Sequence, residues 1–303
     1  MERISRMGLL SFLVLLLPLA LWAGAWPQPK GHYFFKLDVS YLSTDEEFNF
    51  QADKIPILGD FPGYGNVEFR DLAVTFYGEY GITSRLTGIV TLPFKRSTNE
   101  RVEELIPGQG RSVTRTTSGL SDLRLMVRYG LLQLPVAVSL QGGVKIPLGY
   151  DEFPDNDGPS LGTSKVDTEL SLLIGKSFFP LPIYAWGGGG YRRRSGRFND
   201  EFIFTGEVGL TLGRALVKFN VDGIKNTKRP PDIYGETLVL PLPGGGGAFQ
   251  QFQFGDQDVI KINPGVIVDV SGPLAFQVDV IHVVWGRNMI AGTTASAGLV
   301  LHR

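Results

Sequence analysis

The sequence contains no cysteine and few histidines, and each shortage excludes a class of structure or chemistry. With 0 cysteines in 303 residues, disulfide bridges and cysteine-based zinc sites are both excluded. Only 3 histidines are present, so few arrangements of a histidine-activated nucleophile can exist. The net charge of -1 gives no basic field for nucleic acid, and no nucleic-acid partner is expected.

Long apolar runs are also lacking, except near the first residue. "MERISRMG" carries two arginines, "LLSFLVLLLPLALW" is apolar, and "AGA" ends at Ala25. A charged stretch, an apolar stretch and small residues at a cleavage position are the pattern of a secretory signal peptide. We therefore predict a signal peptide over residues 1–25 and one exported domain over residues 26–303. A membrane anchor is the alternative, which the short run and Pro18 disfavour.

What the rest of the chain has instead is alternation. In "DLRLMVRYG" (122–130), Asp122, Arg124 and Arg128 alternate with leucine, valine and tyrosine, which is the period of a strand with one polar face. About twelve such segments recur to the end of the chain. They are 31–42, 68–80, 86–96, 119–130, 135–148, 166–178, 183–194, 200–212, 214–223, 256–270, 273–284 and 293–303.

The connections between these segments alternate between short and long. Tight turns such as "GITSR" and "SGP" are separated by the longer stretches 43–67, 97–118, 149–165 and 224–255. Short turns at one end and long loops at the other are typical of a transmembrane meander. We therefore predict an all-β fold, a transmembrane antiparallel up-and-down β-barrel of about twelve strands, in the bacterial outer membrane. A soluble secreted β-sandwich is the alternative fold.

In such a barrel the polar face of each strand points into the lumen, so its charges are the candidate functional residues. Both signs occur among them, which leaves two interpretations open. The charges either pair across the lumen and plug it, or line a narrow polar path and tune its selectivity. The predicted lumen-lining residues are Glu79, Lys95, Asp122, Arg124, Arg128, Lys145, Asp167, Glu169, Glu207, Lys218, Asp222, Lys261, Asp269 and Asp279.

Four stretches of the chain together resemble a known family. They are "WPQPKGHYFFKLDVSYLSTDEEF" (26–48), "YGEYGITSRLTGIVTLPFKR" (77–96), "SGLSDLRLMVRYGLL" (118–132) and "WGRNMIAGTTASAGL" (285–299). They resemble the bacterial outer-membrane barrels named for the MetA-pathway of phenol degradation. The resemblance implies a passive outer-membrane protein, a channel for small aromatic or other hydrophobic compounds, and it carries no catalytic signature.

Three further motifs each allow a functional interpretation and an ordinary structural one. His282 in "DVIHVVWG" could serve a lipase-like site, but alternation places it on the outer face of its strand. The acidic loop "DEFPDNDG" (151–158) offers oxygen ligands for calcium without the final glutamate of an EF-hand. "GGGGYRRRSGR" (187–197) lacks the following helix of a phosphate loop, so its arginines are placed at an extracellular rim, facing anionic lipopolysaccharide.

The residues therefore predict a passive channel or transporter for small molecules, with the loops 43–67 and 224–255 as gates. No cofactor, metal or catalytic residue is expected. The expected partners are outer-membrane lipid, lipopolysaccharide, the barrel assembly machinery and a small-molecule solute whose identity the sequence leaves open. A plugged barrel with a structural, adhesive or surface-assembly role is the first alternative. An outer-membrane hydrolase that uses His282 is the second.

Overall fold

A computed structural model describes residues 24–58, 64–103, 109–229, 240–241, 247–248 and 255–303. Within these ranges all of the regular secondary structure is β-strand. No helix in this part of the chain is long and apolar enough to cross a membrane.

Twelve long strands form one antiparallel sheet, and one of them is divided at Ser121. The first six are β1 (Tyr33–Thr44), β2 (Tyr64–Gly81), β3 (Leu86–Glu103), β4 (Arg111–Leu120 and Asp122–Leu132), β5 (Ala137–Pro147) and β6 (Asp167–Ser177). The other six are β7 (Ile183–Arg194), β8 (Glu201–Leu212), β9 (Ala215–Asn226), β10 (Asp258–Ser271), β11 (Leu274–Arg287) and β12 (Thr293–His302).

The sheet closes on itself. Each strand pairs with its neighbours in the chain, and β1 pairs with both β2 and β12, so that Lys36 lies opposite Tyr77 on one side and Val300 on the other. Closure removes the unpaired edges that an open sheet would expose. The prediction of an all-β, antiparallel, up-and-down barrel of twelve strands is confirmed.

The short and long connections lie at opposite ends of the barrel. The turns 82–85, 133–136, 178–182, 213–214 and 272–273 share the end at which β1 begins and β12 ends. We call this the turn end, and the opposite end the loop end. The predicted alternation of turns and loops is therefore present, and it fixes which strand residues lie at the same height.

The two faces of the wall are the reverse of those in a soluble protein. On β4, Leu125 and Val127 are 43% and 51% exposed, whereas the residue that follows Val127, Arg128, is 4% exposed. Leu172 and Ile174 on β6 follow the same rule, with Leu173 buried between them. An apolar band of this extent is costly in water, whereas in a bilayer it is the solvated face. The leucines of "DLRLMVRYG" thus point outward.

The prediction of a loop over residues 97–118 is wrong for most of that range. β3 continues to Glu103 and β4 begins at Arg111, with Thr98 opposite Thr116 and their hydroxyl oxygens 3.0 Å apart. Both faces of this hairpin are polar, so the apolar alternation that identifies the other strands is missing. Threonine nevertheless favours the extended backbone, and the ladder forms without an apolar face.

The predicted loop 43–67 is also partly ordered into strands. Its short strand Glu46–Phe48 pairs with Lys54–Pro56 on one side and with Met289–Ile290, in the last loop, on the other. Two loops at the loop end are therefore joined by backbone hydrogen bonds. Of the predicted loop 224–255, residues 230–239, 242–246 and 249–254 lie outside the described residues.

The outward apolar band gives a direct test of the barrel in lipid. Replacing Leu172 by arginine places a charge against the hydrocarbon near the middle of β6, and the expected cost is about 2–4 kcal/mol of the free energy of unfolding. Denaturant unfolding from lipid vesicles measures it. Leu172→Ala, which removes the side chain without adding charge, should lose clearly less. Equal losses for the two variants would mean that this face does not contact lipid.

Candidate functional site

A segment that precedes the first strand enters the barrel at the turn end. Ala25 and Trp26 are buried, and the Trp26 ring meets the Tyr184 ring edge-on, with centroids 6.2 Å apart. Ala137 and Leu173 complete this apolar cluster on the inner wall. We call residues 24–32 the inserted segment. It narrows the lumen where the turns connect the strands.

The inserted segment is fixed by a buried ion pair. Two nitrogens of the Arg128 guanidinium donate to the two carboxylate oxygens of Glu79, at 3.0 and 3.2 Å. Arg128 also donates to the carbonyl oxygen of Trp26 at 3.1 Å, and the Gln28 side-chain amide donates to Glu79 at 2.9 Å. Glu79 is only 1% exposed, and a carboxylate this buried is stable only with such partners.

Nothing in the residue pattern reveals that this segment lies inside the barrel. "WPQPKG" has two prolines and no alternation, so it is typical of an irregular linker between a signal peptide and a first strand. Ala25, the last residue of the predicted signal peptide, is buried in the same apolar cluster as Trp26. The side chains that bond to the segment are 51 to 114 residues away in the chain, which local patterns do not detect.

Beside the inserted segment lies a cavity of about 550 Å³. Its wall combines aromatic side chains with charged ones, and the aromatic members are Phe34, Tyr77, Tyr184 and Trp186. Glu207 ties two of these rings together, because one of its oxygens accepts from the Tyr184 hydroxyl at 2.7 Å and from the Trp186 indole at 3.0 Å. The cavity therefore offers flat apolar surfaces whose positions are fixed by hydrogen bonds.

Towards the loop end, ion pairs run along five neighbouring strands, β4 to β8. Lys145 bridges Asp167 at 2.7 Å and Asp122 at 3.4 Å. Arg192 joins Glu169 at 3.0 Å to Glu201 at 2.7 Å. These contacts stiffen one side of the lumen. We call the set the wall network, and its members are Asp122, Lys145, Asp167, Glu169, Arg192, Arg194 and Glu201.

Arg194 extends the wall network to the loop before β10. It pairs with Glu201 at 2.9 Å and with Asp256 at 3.4 Å. Burial raises the pKa of the Asp256 carboxyl, and the guanidinium of Arg194 together with the backbone N–H of Asn199 opposes that rise. The predicted rim of arginines facing lipopolysaccharide is wrong for Arg192 and Arg194, which are buried and turned inward because strand alternation continues through them.

Most of the other predicted lumen charges also have partners. Lys218 lies 3.2 Å from Asp279, and Lys95 lies 3.7 Å from Asp71. Asp269 lies 3.1 Å from the His302 ring near the turn end. The Lys95–Asp71 pair joins neighbouring strands, whereas the other two pairs each span one intervening strand. All three neutralise charge along the wall.

Three predicted lumen residues differ from the rest. Arg124, Asp222 and Lys261 line a second cavity of about 280 Å³. Within the described residues none of these three side chains has an ion pair or a hydrogen bond, whereas Arg128, Lys145 and Lys218 each have an ion pair. The structure thus separates the fourteen predicted residues into a paired majority and a free group.

The two remaining motifs have local partners. Glu152 of the acidic loop pairs with Lys165 at 3.2 Å and with Arg197 at 2.8 Å. Among the residues that the structure describes, no group of three or more acidic or histidine side chains is arranged to hold a metal ion. The His282 ring lies 2.8 Å from the Thr293 hydroxyl oxygen on β12, and this contact is exposed.

The buried Glu79–Arg128 pair should dominate the stability of the turn end. Glu79→Gln leaves the Arg128 guanidinium buried without a charged partner, and a loss of about 3–5 kcal/mol in the free energy of unfolding is expected. Glu46→Gln is the matched control, because its pair with Lys54 is exposed and contributes at most about 1 kcal/mol. Similar losses in the two variants, measured by denaturant unfolding in vesicles, would contradict this account.

The comparisons with known proteins bear only on the fold. No family model and no curated protein matches the chain, so the MetA-pathway name stays a prediction. The fold is similar to the COG4313 outer membrane channel from Pseudomonas putida F1, at 11% identity and a TM-score of 0.62, over 94% of this chain and 99% of that one. The Ralstonia pickettii toluene transporter TbuX is less similar, at 9% identity and a TM-score of 0.42, over 90% of each chain. The chain therefore has the fold of a bacterial outer-membrane β-barrel.

Proposed function

We propose that the protein is a passive outer-membrane channel for small molecules, including aromatic and other hydrophobic ones. The observation that carries this proposal is the cavity of about 550 Å³ inside a closed barrel, walled by aromatic rings next to charged side chains. A space of this size holds a small organic molecule. One solved structure that is similar in fold is itself named an outer membrane channel, which supports the proposal.

The mixed wall suits solutes that are partly apolar. Phe34 and Trp186 offer flat surfaces on which a ring can stack, while Lys36, Asp38 and Glu207 keep water in the same space. Movement down a concentration gradient along such a wall needs no chemical step. We therefore propose transport without catalysis and without a cofactor.

We further propose that the inserted segment sets the narrowest part of the path. It occupies the turn end, and Gln28 and the Trp26 carbonyl bond to the charges of the wall. A solute must pass beside this segment or displace it. At the loop end, Glu46–Phe48 pairs with Lys54–Pro56 and with Met289–Ile290, so this part of the predicted gate 43–67 is a small folded sheet that we expect to move as a unit.

A plugged barrel with a structural, adhesive or surface-assembly role is the second candidate. It is favoured by the same inserted segment, because a lumen closed by buried ion pairs conducts nothing. The wall network adds rigidity to one side of the lumen, as a structural barrel would require. The two candidates differ in whether ions cross the folded protein.

Single-channel conductance in a planar bilayer separates the two candidates. The refolded protein, checked by its heat-shifted band on a gel, should give small steps, and deletion of residues 26–31 should enlarge them several-fold because the turn end opens. The deletion leaves Glu79 and Arg128 paired with each other. Lys30→Gln, at an exposed position of the segment, is the control and should conduct like the unaltered chain.

A folded and inserted barrel that stays silent even after the deletion would contradict the channel proposal and favour the plugged barrel. Conductance that is the same with and without residues 26–31 would keep the channel but remove the inserted segment as its narrowest point.

A further inference from the structure

The group of free charges in the lumen has an excess of positive charge. Arg124 lies on β4 and Lys261 on β10, six strands apart in a barrel of twelve, so they face the same cavity of about 280 Å³ from opposite walls. Asp222 on β9 is the negative member of the group. Glu169 and Arg192 also line this cavity, but they neutralise each other at 3.0 Å.

The cations of this group have only one free carboxylate beside them. Lys261 lies directly opposite Asp222 on the neighbouring strand β9. The carboxylates around Arg124 belong to Asp122, Asp167 and Glu169, and each of them already has an ion pair with Lys145 or Arg192. Arg124 itself has no ion pair within the described residues. Two cations on opposite walls of one cavity, with a single unpaired carboxylate beside Lys261, leave an excess of positive charge that an anion can neutralise.

The cavity has room for an anion because two of its lining residues on β7, Gly188 and Gly189, contribute no side chain. Arg124 can offer its planar guanidinium to two oxygens at once, and Lys261 can approach the same group as a point charge. This combination suits a carboxylate.

The larger cavity, which adjoins this one, indicates what the uncharged part of the ligand is. Gln141, Leu173 and Thr205 line both cavities, so the charged group adjoins the larger cavity with its aromatic wall. A small molecule with its carboxylate at Arg124 would direct its apolar part towards Leu173 and the ring of Trp186. An uncharged ring would lack the first contact, and an aliphatic cation would be repelled.

We propose that Arg124 and Lys261 bind the carboxylate of a small aromatic acid inside the lumen, with the ring of that acid on the aromatic wall. This inference rests on the proposed channel function and gives it a class of solute. Binding is non-covalent, and release follows when water replaces the two charge-assisted contacts. Asp222 limits the affinity, which a path for solutes requires because a tightly held solute would block it.

Equilibrium binding tests the proposal separately from conduction. Benzoate is titrated calorimetrically into the folded protein in detergent micelles, and benzyl alcohol, which has nearly the same shape without the charge, is titrated in parallel. Benzoate should bind at least tenfold more tightly. Arg124→Gln and Lys261→Gln should each weaken benzoate roughly tenfold, because each removes a charge-assisted hydrogen bond.

Two further variants make the test two-sided. Asp222→Asn should tighten benzoate binding several-fold, because it removes the only unpaired negative charge described in the cavity. Lys176→Gln removes a positive charge from the outer face of β6 and should leave binding unchanged. The heat-shifted band on a gel shows that each variant is folded before it is titrated.

The outcomes distinguish this inference from the channel proposal. Equal affinity for benzoate and benzyl alcohol, or an unchanged affinity in the Arg124→Gln and Lys261→Gln variants, would overturn the carboxylate site even if the barrel conducts. Benzoate binding that depends on both cations in a barrel that never conducts would keep the site and overturn the channel.

Discussion

The structure depends on one constraint, which is that every backbone N–H and C=O group crossing a bilayer must find a partner within the protein. Twelve antiparallel strands meet it only because β1 pairs with β12 as well as with β2. Once the ladder is closed, the alternation of side chains leaves two surfaces. The apolar surface contacts lipid, and the polar surface lines the lumen. The positions of the charged residues follow from this closure.

Charges enclosed in a lumen must be neutralised or hydrated, and the barrel uses both solutions at different heights. At the turn end Glu79, Arg128 and the inserted segment share one set of hydrogen bonds, and towards the loop end the wall network pairs its members between adjacent strands. Beside the wall network, Arg124 and Lys261 face the smaller cavity and have no ion pair of their own within the described residues. Charge is therefore available to a solute in this cavity, and the proposed channel would use it to select among solutes.

The sequence predicted much of this and missed the rest for physical reasons. Alternation such as that of Leu123 and Arg124 identified the strands and their number, because a strand that faces lipid needs an uninterrupted apolar face. The hairpin around Thr98 and Thr116 was missed because it has no such face. The inserted segment was missed because its contacts, such as that from Arg128 to Trp26, join distant parts of the chain. Which charges pair depends on distances between strands, and alternation does not report them.

The central claim is that the polar face of the wall is reached by water through the lumen while the apolar face meets lipid. The absence of cysteine makes this measurable by placing one cysteine at a time. Thr91→Cys, in the wall of the larger cavity, and Leu125→Cys, on the outer face, would be exposed in vesicles to a charged thiol reagent that does not cross the bilayer. The account predicts modification of Thr91→Cys with a change in conductance, and no modification of Leu125→Cys. A reactive Leu125→Cys beside an unreactive Thr91→Cys would contradict it.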